Sequence, residues 1–245
     1  MKARTYFGTL GITAILVLLG CTGSITEPET THELEYKGMS IYFYGYERNT
    51  YQTLDFEINL EQIEQSGCNT VVLTPYWFQD THTDTTIVWD TYRTIDYYQL
   101  LAACFQVRDR GLTLILKPHI DIKNGIPRAE IAPDNIQAWK RNYLRFIIYH
   151  AVVAEMMGVD IFCIGSEMTG VSGESALWND IIDSVRASFS GEITYAACPQ
   201  EAFAVDFWNR LDYIGINAWI PLSKKEHPRY ENFLFTWGEI HRQWY

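Results

Sequence analysis

Gly158-Val-Asp-Ile-Phe-Cys-Ile-Gly-Ser-Glu-Met-Thr-Gly170 is an apolar run that ends on a carboxylate set among small residues. Val159 to Ile164 has the composition of a parallel strand buried on both faces. It follows a long helical pattern, Ile136 to Met157, that stops at Gly158. Glu167 therefore falls at the carboxyl end of a strand, where open and closed α/β folds place their chemistry. Taken alone, that position suits a catalytic acid and a helix-capping or ion-paired glutamate equally.

Outward from this stretch, strand and helix patterns alternate. Strands are predicted at Met39 to Tyr46, Asn69 to Pro75, Leu112 to Pro118, Val159 to Gly165, Glu192 to Ala197 and Leu211 to Asn217. Helices are predicted at Asp55 to Ser66, Ile95 to Arg110, Ile136 to Met157, Ala176 to Phe189, a short one at Glu201 to Asn209, and Phe233 to Tyr245. Polar loops fill the intervals, the longest running up to Thr94. Six short apolar strands with intervening helices imply a parallel sheet covered by helices. Doubly wound sheets and barrels both fit. No Gly-x-Gly-x-x-Gly turn or Gly-rich phosphate loop occurs, which removes the main support for a nucleotide fold and favours a TIM (β/α)8-type barrel. At about 30 to 35 residues per unit, six βα units are present and the last two are expected to be missing beyond Tyr245.

In a barrel, residues just past each strand converge on one face. They are Tyr76, Trp77 and Gln79 after the second strand, Lys117, His119 and Asp121 after the third, Glu167 after the fourth, and Asn217 and Trp219 after the sixth. Aromatic faces stack on sugar C–H surfaces, while amides, ammonium groups and carboxylates supply directional hydrogen bonds, so the set suits a polyhydroxylated ligand. Trp77 and Trp219 could instead be rim core, and Lys117 and Asp121 could form an ion pair with each other. His119 and Asp121 also form a His-x-Asp pair that a metal-dependent hydrolase could use, although a catalytic zinc needs three protein ligands. Asp96, Asp160 and Asp212 begin helices or strands, where capping and stability are the expected roles.

The 245 residues carry a formal net charge of -11, which excludes nucleic acid as a partner and suits a neutral ligand. Eight tryptophans and sixteen tyrosines exceed what a core requires and point to a groove lined with rings. Residues 1–21 read as a lipoprotein signal peptide: Lys2 and Arg4, an apolar stretch from Ile12 to Leu19, then Leu18-Leu19-Gly20-Cys21, which resembles a lipobox with Cys21 as the lipidated residue. Residues 22–37 are expected to be a flexible tether, and 38–245 one barrel domain that is expected to be incomplete. The expected location is the cell envelope, extracytoplasmic and lipid-anchored. Thr22 after Cys21 favours the outer membrane or cell surface over the inner membrane. Cys68, Cys104, Cys163 and Cys198 lack paired spacings and are expected as buried thiols, not disulfides.

Four blocks in order carry a family resemblance: Leu114-Ile-Leu-Lys-Pro-His-Ile-Asp121, the Trp139 to Glu155 helix, Phe162-Cys-Ile-Gly-Ser-Glu-Met168 and Leu211-Asp-Tyr-Ile-Gly-Ile-Asn-Ala-Trp219. Together, over Met39 to Tyr245, they resemble glycoside hydrolase family 113, whose characterised members are mainly β-mannanases on a TIM barrel. The resemblance implies a retaining glycosidase acting on mannan or manno-oligosaccharides; no metal or organic cofactor is implied, and a monomer is expected. It makes Glu167 the general acid/base and places the nucleophile, a second glutamate, at the end of a seventh strand. That strand is not among the six, so the polypeptide alone is expected to be inactive. Many members of the clan have Asn before the acid, where this chain has Ser166. A non-catalytic glycan-binding surface lipoprotein is the other reading that the aromatic residues fit.

Overall fold

The computed structural model describes residues 35–41 and 54–244. The signal peptide, Cys21, most of the tether and residues 42–46 of the first predicted strand lie outside the described residues. Among those described, β1 (Gly38–Ile41), α1 (Leu54–Gln65), β2 (Thr70–Leu73), β3 (Tyr76–Gln79), α2 (Tyr97–Asp109), β4 (Thr113–Leu116) and β5 (His119–Ile122) make up the first half. α3 (Ile136–Met157), β6 (Ile161–Ser166), a one-turn α4 (Thr169–Ser172), α5 (Ser175–Arg186), β7 (Glu192–Ala197), β8 (Tyr213–Ile216) and α6 (Tyr230–Trp244) follow.

β1, β2, β4, β6, β7 and β8 pair in that order, all parallel, so successive βα units lie side by side as in a barrel wall. The result is the expected run of six barrel strands, a half-barrel. β2 and β6 are buried along their whole length, which is why they read as continuous apolar runs. Two layers pack on them. Between strands and helices, Leu73, Leu116, Phe162 and Ile164 meet Phe56, Leu100, Trp139, Tyr143 and Trp178. Val72, Ile115 and Ile161 form a separate cluster, against which Tyr36 and Tyr213 pack.

α3 shows how local signals place the site. Asn135 Oδ1 accepts from Ala138 N at 3.0 Å and starts the helix, while Gly158 ends it in the left-handed region at φ 60°. The chain can then turn straight into β6. Trp139, Tyr143, Phe146, Ile147, His150 and Ala151 bury one face of the helix. Tyr143 Oη donates to Ile164 O at 2.6 Å, tying the helix to the strand that carries Glu167. At the opposite end of β6, Asp160 accepts from Arg108 Nη1 and from Leu114 N at 2.8 Å. Asp212 likewise accepts from Arg186 and from Ile193 N, and Asp96 closes a capping box with Gln99. All three acids take the stabilising roles expected of them.

Some expectations need correction. The stretch after Pro75 does not enter a loop directly: β3 pairs in parallel with β5, Tyr76 opposite His119, as a second two-stranded sheet. Pro75 and Pro118 lack the N–H that would continue the main ladder, and the strands resume beyond them in the new sheet. Glu201 to Asn209 forms two single 3-10 turns instead of one helix. Cys68, Cys104, Cys163 and Cys198 are free thiols; Cys104 and Cys163 are buried, and Cys68 and Cys198 only partly so. No helix among the described residues is long and apolar enough to cross a membrane.

Candidate active site

β6 delivers Glu167 in an unusual backbone state. Its φ of 55° is the one positive value at a non-glycine among the described residues. A left-handed glutamate costs energy and persists where its surroundings hold it, as at many functional sites. Here Glu167 N donates to Ala196 O at 2.9 Å, and Met168 N donates to Tyr195 Oη at 3.0 Å. Gly165 lets β6 press against that support. A Cβ there would lie 2.7 Å from both the Trp178 and Tyr195 rings.

The Glu167 carboxylate is met from the end of β8, two strands along the sheet. Asn217 follows β8 directly, with its backbone N bonded to Ala197 O at 2.8 Å. Its Nδ2 donates to Glu167 Oε1 at 2.8 Å and to Ser166 Oγ at 3.2 Å. Lys117, past the end of β4, donates from Nζ to Asn217 Oδ1 at 2.9 Å. Lys117 and Asn217 are both 4% exposed. Burial pushes the Lys117 ammonium below its ordinary range, opposed by the neighbouring Cys163 thiol and the Glu167 charge.

A second cluster forms on β5. Arg128, from the 3-10 turn Arg128–Glu130, donates from Nη1 to His119 Nδ1 at 2.6 Å and from Nη2 to Asp121 Oδ1 at 2.5 Å. Burial opposes the guanidinium charge, but Asp121, Tyr76 and Glu167 together outweigh it and hold Arg128 more firmly charged than usual. His119 is pushed far below the usual imidazole range by burial and then by the Arg128 and Lys117 charges. It is therefore neutral, with the proton on Nε2, because Nδ1 must accept from Arg128. That Nε2 is enclosed. Gly170 in α4 sits directly on this turn, where a Cβ would come within 2.2 Å of Ile131 O, so the Arg128 turn and the segment after Glu167 pack as one unit.

The predicted residues thus divide. Lys117 and Asn217 converge on Glu167, but as its supports. His119 and Asp121 bind Arg128. The alternative use of the two as a metal pair does not fit this arrangement, because a guanidinium already takes both acceptors and its charge would repel a cation at that spot. The Lys117–Asp121 ion pair does not form, each partner being engaged elsewhere.

Trp77 packs toward the helix layer against Phe146, Tyr149 and His150, at centroid distances of 5.6, 5.6 and 5.9 Å. Gln79 is fully buried. It accepts from Trp139 Nε1 at 3.0 Å and donates to Thr81 O and Asp84 O. Placing Gln79 on the substrate is therefore corrected to a loop-bracing role. Of the two predicted tryptophans, Trp219 is the largely exposed one, 60% accessible, two residues past Asn217.

Sequence reading missed Arg128, which sits in a loop with no periodic signal, and the bracing of Tyr195 by Glu201. Tyr195 Oη donates to Glu201 Oε1 at 2.6 Å, and Glu201 Oε2 accepts from Cys198 N at 2.8 Å. The early Pro127 before Arg128, which ends the loop in a tight turn, was the available hint.

A half-buried carboxylate in a half-barrel, at the carboxyl ends of its strands and braced by buried polar groups, has the layout of a glycosidase. A family model, Glycoside Hydrolase Family 113, matches residues 40–240. The chain belongs to Glycoside Hydrolase Family 113. As a family 113 member it is a glycoside hydrolase. Among solved structures, the chain is similar to a family 113 β-1,4-mannanase determined as a complex, with TM-score 0.73 and 22% identity over 85% of this chain and 68% of that one. It is also similar to the family 113 β-mannanase AaManA of Alicyclobacillus acidocaldarius in complex with ManMIm. There the TM-score is 0.73 and identity 25%, covering 76% of this chain and 62% of the other. A search of curated proteins found no match.

Proposed function

We propose that the protein cleaves β-linked mannan or manno-oligosaccharides with retention of configuration and that Glu167 is its general acid/base. The observation that carries this reading is Glu167 itself, left-handed at the end of β6 and bonded by Asn217. The two similar structures are described as mannanases, which supports the choice of glycan.

In the first step Glu167 gives its proton to the glycosidic oxygen as that oxygen takes the electron pair of the breaking C1–O bond. A second carboxylate bonds to C1. In the second step Glu167, now ionised, takes a proton from water, whose oxygen displaces that carboxylate and restores it. Asp121 and Glu201 are committed to Arg128 and to Tyr195 with Cys198 N, so neither is assigned as the nucleophile. Trp219, at the mouth, offers a ring face for stacking on a sugar. A chain of charge -11 accords with an uncharged glycan.

The test is Glu167→Gln in the full-length protein with manno-oligosaccharides as substrate. Loss of general acid catalysis is expected to lower the rate by about 10²- to 10⁴-fold. Undiminished cleavage sinks the assignment. The protein is further proposed to act as a monomer, anchored outside the cytoplasm through lipid on Cys21. Incorporation of labelled fatty acid that disappears in Cys21→Ala tests the anchor.

A further inference from the structure

We infer that Lys117 and Asn217 form a buried relay that decides which oxygen of Glu167 carries the acid proton. The inference rests on the reading of Glu167 as the acid. Lys117 Nζ can only donate, so the Asn217 atom 2.9 Å away is the amide oxygen. The amide nitrogen must then face the other way, toward Glu167 Oε1 at 2.8 Å and Ser166 Oγ at 3.2 Å. Turning the amide over would set an NH2 against an ammonium and a carbonyl against a carboxylate, two repulsions in a buried site.

An amide nitrogen donates and does not accept, so Oε1 is held as an acceptor in both protonation states of Glu167. The acid proton resides on Oε2. The glycosidic oxygen must therefore approach on the Oε2 side, away from Asn217, and the water of the second step is deprotonated there too. Lys117 and Asn217 are positioning residues, 100 positions from each other and, for Asn217, 50 from Glu167 in the chain, and neither needs to touch substrate. Both polar atoms of the Asn217 amide head, Oδ1 and Nδ2, have partners, which leaves it no second orientation of similar energy.

The test does not require turnover. In the chain labelled with 15N-asparagine, the Asn217 side-chain NH2 pair, assigned by its loss in Asn217→Ala, is expected to be inequivalent. One proton should lie downfield and exchange with water at least about tenfold more slowly than those of exposed asparagines. Glu167→Gln should move that proton upfield, and Lys117→Met should bring the pair toward the exposed values. Lys117→Gln, which restores an N–H donor without charge, should recover part of the separation and serves if Lys117→Met does not fold. A pair that stays in place in Lys117→Met, or that does not move in Glu167→Gln, overturns the relay.

Kinetics supply the second readout. Asn217→Ala should slow cleavage of aryl β-mannosides with poor leaving groups by about 10- to 100-fold, since these need the acid. Hydrolysis of 2,4-dinitrophenyl β-mannoside, whose leaving group needs no proton, should fall far less. Equal losses on both overturn the positioning role. If the NMR result holds while the unmodified full-length protein cleaves no mannoside, the relay stands and the proposed function fails.

Discussion

Tyr195 Oη lies between two partners, donating to Glu201 Oε1 at 2.6 Å and accepting from Met168 N at 3.0 Å. A glutamate 34 positions after Glu167 thereby holds the backbone that follows it. Glu201 is 1% exposed and its other oxygen takes Cys198 N–H, so both of its oxygens serve structure. Glu201→Gln would set an amide NH2 against one of these donors. The expected cost is about 1–3 kcal/mol in urea unfolding, with a parallel fall in activity. Full stability with abolished turnover would instead mark Glu201 as a reacting group.

Gly165→Ala tests the tight approach behind the acid. The added methyl would meet the Trp178 and Tyr195 rings at 2.7 Å, and neither ring has room to retreat in a filled core. Overpacking of this kind is expected to cost about 1–3 kcal/mol, read as a lower unfolding midpoint. Activity should fall with it, because the strain falls on the residues that position Glu167.

Gln79→Leu separates bracing from binding. It would leave the buried Trp139 indole N–H without its acceptor and release the carbonyls of the Thr81 to Asp84 loop. A loss of about 1–3 kcal/mol in stability is expected, with KM for manno-oligosaccharides unchanged at temperatures where the variant is folded. A raised KM at full stability would return Gln79 to the substrate.

Acid should destabilise the fold through His150. The ring is fully buried beside Trp77, Phe146 and Tyr149, its Nδ1–H donating to Phe146 O, and burial lowers its pKa from 6.5 to about 4. Between these values the unfolded chain binds the proton and the folded one does not. Stability is therefore fully present above pH 6.5 and falls as pH drops toward 4, by about 1.4 kcal/mol per pH unit. His119, also held neutral by burial, acts in the same direction. Urea titrations from pH 7 to 4 should show the decline, and His150→Phe should make it shallower.

The sequence by itself determined the strand-helix alternation, the boundaries of α3 and the place of Glu167. Each is written in local terms: an apolar run the length of one strand, a helical period, an Asn to start the helix and a left-handed Gly to end it. The same holds for Asp96, Asp160 and Asp212, whose positions at element starts already imply backbone partners.

Only the tertiary structure decided what the rim residues do. Lys117 and Asn217 read as sugar ligands because both follow strands, yet they meet each other and Glu167 across 100 and 50 residues of chain. Trp77 and Gln79 alternate along β3, and no local signal tells that this short strand leaves the main sheet after Pro75 and packs both side chains toward the helices. Arg128 has no periodic setting at all, and its role exists only because the turn after Pro127 brings a guanidinium to His119 and Asp121. Hydrogen bonds between distant segments depend on distances of a few tenths of an ångström. Those distances are set by the packing of whole elements, which a pattern read along one strand does not contain.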